Sequence, residues 1–170
     1  GTAALNTWSI SNDGKWLAYA ISHSGSDWVE WRIRNIVNGE DLPEILKWSK
    51  FSEAAWAQDH SGFYYCRYAA PTEGKLYQEA NYNQMVYFHR LNTHQDDDQL
   101  VYARLDHPDW GFNPEISNDG QYLILVVSQG TDSRNRLFYK NLQTKSDVIE
   151  LIPGLTAKFI FVGNDGSIFF

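Results

Sequence analysis

The stretch Ser9-Ile10-Ser11-Asn12-Asp13-Gly14-Lys15-Trp16-Leu17-Ala18-Tyr19 holds the fold in miniature: a strand, a tight turn and a second strand. Asn12 and Asp13 carry side chains that bond the backbone two residues on, and glycine accepts a positive φ, so the chain reverses between two apolar runs. The construction returns in Trp56-Ala57-Gln58-Asp59-His60-Ser61-Gly62-Phe63-Tyr64-Tyr65, in Glu115-Ile116-Ser117-Asn118-Asp119-Gly120-Gln121-Tyr122-Leu123-Ile124, and in Phe161-Val162-Gly163-Asn164-Asp165-Gly166-Ser167-Ile168-Phe169-Phe170. Gly14, Gly62, Gly120 and Gly166 are read as the turn glycines. They recur at roughly 50 residues, the period of a four-stranded propeller blade rather than of a helical repeat.

Between these hairpins lies a second hairpin per unit. Met85 to Leu91 returns through Gln99 to Ala103, and Arg136 to Leu142 returns through Asp147 to Leu151. In Trp28-Val29-Glu30-Trp31-Arg32-Ile33, the residues Trp28, Glu30 and Arg32 share one face and Val29, Trp31 and Ile33 the other, the period-2 pattern of a strand. Asp41 to Ser49 fits one helical turn, although Pro43 and Gly39 suit a loop equally well. The expected fold is all-β: a partial β-propeller of about three four-stranded antiparallel blades plus the start of another. A closed propeller needs at least four blades, and the chain stops on Ile168-Phe169-Phe170 inside a unit. Residues 1–170 are therefore expected to be a fragment of a propeller domain, prone to self-association through exposed blade edges.

A formal net charge of −7 disfavours nucleic acid, whose phosphates require a positive patch. Cys66 is the only cysteine, so no intrachain disulfide forms, and no Cys/His cluster offers zinc ligands. No secretory leader and no membrane-length apolar run is visible. A cytoplasmic location is the expectation, and a periplasmic one stays open because a cut chain has lost its natural N-terminus. No cofactor or metal is expected.

Serine chemistry needs a nucleophile on a sharp turn, a base and an orienting carboxylate. Here Ser24-Gly25-Ser26-Asp27 is a loop, and His23, His60, His89, His94 and His107 are scattered. No catalytic residue is assigned. Asp96-Asp97-Asp98 lacks the alternation of a calcium loop and reads as a solvated hairpin tip. Trp16 and Trp56 sit on repeat strands and are expected in the core, whereas Trp28 and Trp110 follow Asp-containing loops and are better placed for a surface role. Cys66, inside a strand run, is expected to be a buried, inert thiol.

Taken in order and approximate spacing, four segments resemble the propeller of the prolyl oligopeptidase (prolyl endopeptidase) family. They are Gly25-Ser26-Asp27-Trp28-Val29, Lys50-Phe51-Ser52 with Ala55-Trp56 after it, Ser117-Asn118-Asp119-Gly120-Gln121-Tyr122 and Asn135-Arg136-Leu137-Phe138-Tyr139. The resemblance implies a two-domain parent, in which a seven-bladed propeller caps an α/β-hydrolase domain bearing the Ser, Asp, His triad and admits short proline-containing peptides. The triad lies beyond the propeller, so this chain alone is expected to be inactive. By the same resemblance Phe51 lines an apolar pocket for a residue upstream of the proline, and Asp27, beside Trp28, pairs with an arginine of the hydrolase domain. Packing between blades is the other reading of Phe51. The family pattern breaks at Trp110-Gly111-Phe112, where a Trp-Met pair is common, and at Ser128-Gln129-Gly130-Thr131, where Arg-Glu-Gly-Cys is common. The pocket methionine and reactive cysteine are thus not carried over.

The function implied is a non-catalytic filter that gates and lines the substrate cavity of a proline-specific serine peptidase. Two alternatives stand beside it: a propeller used as an interaction scaffold, since one fold hosts many functions, and the propeller of a related oligopeptidase with basic or dipeptide specificity.

Overall fold

The computed structural model describes residues 1–71 and 81–170. The first sheet is β1 (Ala3–Ile10), β2 (Trp16–His23), β3 (Val29–Asn35) and β4 (Leu46–Ser49). The second is β5 (Ala55–Trp56), β6 (Gly62–Arg67), β7 (Met85–Arg90) and β8 (Gln99–Tyr102). The third is β9 (Trp110–Ile116), β10 (Tyr122–Gln129), β11 (Asn135–Asn141) and β12 (Ile149–Ala157), followed by the small hairpin of β13 (Asn164–Asp165) and β14 (Ile168–Phe169). Every neighbouring pair is antiparallel and the order within each sheet follows the chain, as consecutive hairpins dictate. The segment before β4 is a loop rather than a helical turn. Strand β1 touches β5, and β5 touches β9. The first strands of successive sheets therefore lie side by side, the arrangement of propeller blades about an axis.

The turn chemistry is explicit in the first and third sheets. Gly14 donates its N–H to the Ser11 carbonyl, and Gly120 to that of Ser117, both at 2.8 Å, with φ of +71° at each glycine. Asp13 and Asp119 accept from the backbone two residues on, at Lys15 and Gln121. The second sheet departs from the sequence reading. There His60 donates to the Ala57 carbonyl and takes the left-handed conformation, φ +58°. Gly62 instead opens β6 pressed against β7: a Cβ at this position would lie 1.9 Å from the His89 carbonyl oxygen. The glycine is required by close approach and not by the turn.

Burial follows the alternation of each strand. Val29, Trp31 and Ile33 are buried, while Glu30 and Arg32 lie on the other, half-open face. The central strand β6 is buried on both faces: Phe63 and Tyr65 join Trp31, Ile33, Leu46 and Trp56 in the core toward the first sheet, and Cys66 joins Val86, Phe112, Leu125 and Phe138 toward the third. Strand β10 divides in the same way, with Leu123, Leu125 and Val127 turned one way and Tyr122 and Ile124 turned toward Phe161 and Phe169 of the final segment.

One polar cluster is sealed into the first seam. His89 and Asp98 are fully buried and meet at 2.7 Å between Nδ1 and Oδ1. The Tyr65 hydroxyl donates to the other Asp98 oxygen at 2.6 Å, and Glu44 stands 3.9 Å from His89 Nε2. Asp98 thus belongs to the interior, and only Asp96 and Asp97 are exposed at the tip. Its neighbours require this, because the buried imidazole and phenol need an acceptor. Among the described residues no group of three metal-ligating side chains converges, and no helix is long and apolar enough to cross a membrane.

Gly62→Ala is expected to lower the unfolding free energy by about 2–3 kcal/mol, since backbone must move to admit the methyl. Gly166→Ala meets nothing within 4 Å and should cost only the left-handed backbone penalty of about 1 kcal/mol. Denaturant unfolding followed by tryptophan fluorescence compares the two, and equal losses would contradict the close-approach account.

Candidate functional site

The site begins with a defect in the first sheet. Val29 pairs with Ser49 and Trp31 with Leu46, so β4 carries one extra residue, a bulge of the kind that re-aims a side chain. Trp48 inside the bulge has φ +65°, and Phe51 just beyond it has φ +53°. Bulky side chains rarely accept the left-handed region, so surrounding contacts must hold this segment. Trp48 meets Trp28 edge-on at 6.1 Å between ring centroids, and the Trp28 ring meets Tyr68 in the same manner at 5.9 Å.

Lys50 ties these rings together. Its ammonium lies 3.9 Å from the Trp28 ring centroid and donates to Asn81 Oδ1 at 2.8 Å. Burial pulls its pKa below the usual lysine range, and the neighbouring Asp27 carboxylate opposes that shift. Asp27 itself is exposed and Trp28 half-buried. The carbonyl of Lys50 accepts from Gln84 Nε2 at 2.9 Å, and the Oε1 of the same buried amide accepts from the Phe112 N–H at 2.6 Å. One side chain thereby joins all three sheets. Ser49 and Ser52 act beside it: Ser49 Oγ accepts from Trp31 Nε1 and donates to the Cys66 carbonyl, while Ser52 Oγ accepts from the Cys66 N–H. The Cys66 thiol donates to the Phe112 carbonyl at 3.1 Å.

Beyond these contacts opens a cleft of about 450 Å³ between the second and third sheets. Three aromatic residues, Phe51, Tyr68 and Trp110, contribute to its wall. Phe51 is 65% exposed, and it belongs to none of the buried clusters between the sheets. Gly111 and Thr131, where the family pattern breaks, line the same cleft with Ser128 and Gly130. A Cβ at Gly111 would lie 2.8 Å from Ser128 Oγ, so the lack of a side chain there lets Ser128 pack close against the strand. Asp109 is the one charged lining residue among those described.

Phe51 and the Asp27–Trp28 pair are thus brought to one region, joined through Lys50 and Tyr68, although Asp27 does not line the cleft. Trp110 differs from its sequence reading: it is 5% exposed, with His107 stacked on it at 4.0 Å and the guanidinium groups of Arg104 and Arg136 within 5 Å of its ring. Cation–π attraction and area burial outweigh its place after a polar loop. Tyr68, Gln84 and Asp109 were missed by sequence reasoning. Their only signal is proximity to motif residues, since none carries a pattern of its own. No serine attends the buried His89–Asp98 pair among the described residues; the hydroxyl there is the Tyr65 phenol, bonded to Asp98 rather than to the imidazole.

Burial pushes the Cys66 thiol up from 9.0 to about 12, and burial likewise pushes the Tyr64 and Tyr68 phenols from 10.0 to about 12. The folded chain keeps protons that the unfolded chain releases, so this part of its stability is constant below about pH 9 and is lost as pH climbs toward 12. The native chain should resist alkylation by iodoacetamide at about pH 8, and its alkaline decline should be shallower in Cys66→Ser. Labelling of the native chain at the rate of the denatured one would contradict the burial.

A family model described as "Prolyl oligopeptidase, N-terminal beta-propeller domain" matches residues 1–170. Prolyl oligopeptidase A of Galerina marginata is 34% identical over 100% of this chain and 26% of its own length. Prolyl endopeptidase of Elizabethkingia meningoseptica is 32% identical over 98% of this chain and 23% of its own. Among solved structures, one from a structural and mechanistic analysis of two prolyl endopeptidases superimposes with a TM-score of 0.87 at 36% identity, covering 96% of this chain and 23% of the other. Prolyl oligopeptidase B of Galerina marginata, bound to a 35mer hydrolysis and macrocyclization substrate, gives 0.86 at 30% identity over 98% and 25%. The chain spans about a quarter of the length of these relatives.

Proposed function

The chain belongs to the prolyl oligopeptidase family through its N-terminal β-propeller domain, and on that premise we propose that it lines and gates the substrate cavity of a serine peptidase that cleaves peptides after proline. The supporting observation is the Phe51 ring, held out over the cleft by a strained segment when burial between sheets would be the cheaper state for an aromatic residue. The propeller contributes no chemical step. A catalytic domain elsewhere in the parent supplies the nucleophile, base and oxyanion donors, and this chain supplies position and exclusion.

Phe51, Tyr68 and Trp110 form one wall against which an apolar part of an extended peptide rests, while the rigid sheets exclude a folded protein. Asp27, exposed beside the Lys50 ammonium, offers its carboxylate to an arginine of the catalytic domain. Such a pair would close the cavity over bound peptide and order both walls.

In the full-length protein, Phe51→Ala should remove about 1–3 kcal/mol of apolar contact from peptides with a bulky residue upstream of the proline. Peptides with glycine there should be spared and the melting temperature held. The assay compares kcat/KM for the two peptides alongside thermal unfolding. A large loss of thermal stability with an unchanged ratio would contradict the cavity role, and failure of the full-length protein to cleave any proline peptide would contradict the peptidase reading.

A further inference from the structure

The cleft that Phe51 overlooks combines aromatic rings with a carboxylate that makes no salt bridge among the described residues. Asp109 is half-buried. Its Oδ2 accepts from Gln129 Nε2 at 2.8 Å, a neutral donor, and among the described residues it has no salt-bridge partner. Among the described residues the nearby cations make their contacts with other groups, and the Nη1 of Arg136 is left without a hydrogen-bond partner. Arg136 donates to Gln129 Oε1 at 3.1 Å and to the Pro153 carbonyl at 3.0 Å. Arg104 is held by Asp106 and Glu150, and the Lys50 ammonium is bonded to Asn81 over the Trp28 ring. None of the three lines the cleft.

Aromatic faces attract cations through the ring quadrupole, and a carboxylate without a counter-charge adds a directed, charge-assisted hydrogen bond. The mostly exposed Phe51 ring supplies the first element, and the Asp109 oxygen that carries no hydrogen bond among the described residues supplies the second. We infer that this cleft selects a lysine or arginine side chain upstream of the cleavage site, with Asp109 as the specificity-determining residue. The inference rests on the peptide-binding reading of the cleft given above. It concerns the upstream residue alone and leaves proline as the residue at the cleaved bond.

The test measures binding separately from turnover. Non-hydrolysable proline peptides carrying lysine, norleucine or glutamate one or two residues before the proline are titrated into the full-length protein, with fluorescence anisotropy as readout. The lysine peptide should bind on the order of tenfold more tightly than the norleucine peptide, and the glutamate peptide most weakly. Raising the salt concentration should shrink the lysine preference. Asp109→Asn should abolish it, whereas Asp97→Asn, a change at an exposed turn remote from the cleft lining, should retain it. Should Asp109→Asn fail to fold, the salt dependence in the unaltered protein decides. Equal affinities for lysine and norleucine, no binding of the lysine peptide, or a preference that persists in Asp109→Asn or is indifferent to salt would overturn the inference. Hydrolysis of the matching cleavable peptides reports on the peptidase reading, so an inactive protein that still ranks lysine first would contradict that reading and leave the selectivity standing.

Discussion

Among the described residues no ladder of strand pairing crosses from one four-stranded sheet to the next; single backbone bonds, Tyr68 N–H to the Trp48 carbonyl at 2.8 Å and Asn83 N–H to the Pro108 carbonyl at 2.7 Å, cross the seams, and side chains do the rest. Each sheet satisfies its own backbone internally, except along the strands and loops that face a neighbour. There the apolar faces of β6 and β10 do most of the joining, and dispersion and area burial care little for small sliding motions. Register between sheets comes instead from a few buried polar groups. Ser49 and Ser52 grip the two backbone groups of Cys66, and Gln84 spans the Lys50 carbonyl and the Phe112 N–H. A slip of one sheet against another would leave these groups buried without partners, a penalty of about 1–3 kcal/mol for each.

The same groups hold the site. Trp48 and Phe51 occupy backbone conformations that bulky residues avoid, and the residues between them, Ser49 and Lys50, are the ones gripped by Cys66 and Gln84. Strain at the tip of a bulge is sustained by hydrogen bonds at its base. Lys50 adds a second anchor: its ammonium is held by Asn81 and the Trp28 ring, and burial pulls its pKa down while the Asp27 carboxylate opposes that shift. The exposed Phe51 ring, Gly111 and Asp109 therefore share one scaffold, and their spacing is fixed by the seam rather than by any single loop.

Much of this was legible in the sequence because hairpin turns and period-2 alternation are local. Asn-Asp-Gly announced the turns at Gly14 and Gly120, and Val29, Trp31 and Ile33 announced a buried face. The reading failed where the deciding partner lies far along the chain. Gly62 looked like a turn glycine, but its role is set by the His89 carbonyl across the sheet. Asp98 looked like part of a solvated tip, but His89 and Tyr65 draw it inside. Trp110 followed a polar loop, yet two arginines and a histidine enclose it. Family resemblance placed Phe51 and Asp27 in view, whereas Gln84 and Asp109 gained meaning only when the third sheet was laid against the second.

The seam bonds of Gln84 hold the segment that carries Phe51 over the cleft. A double-mutant cycle tests it in the full-length protein with Gln84→Met and Phe51→Ala, the readout being the kcat/KM ratio for peptides with a bulky and a small upstream residue. Methionine keeps the volume and removes both hydrogen bonds. Gln84→Met alone should collapse the ratio, and adding Phe51→Ala should change it little further, a coupling of at least about 1 kcal/mol. Additive effects of the two substitutions would contradict it.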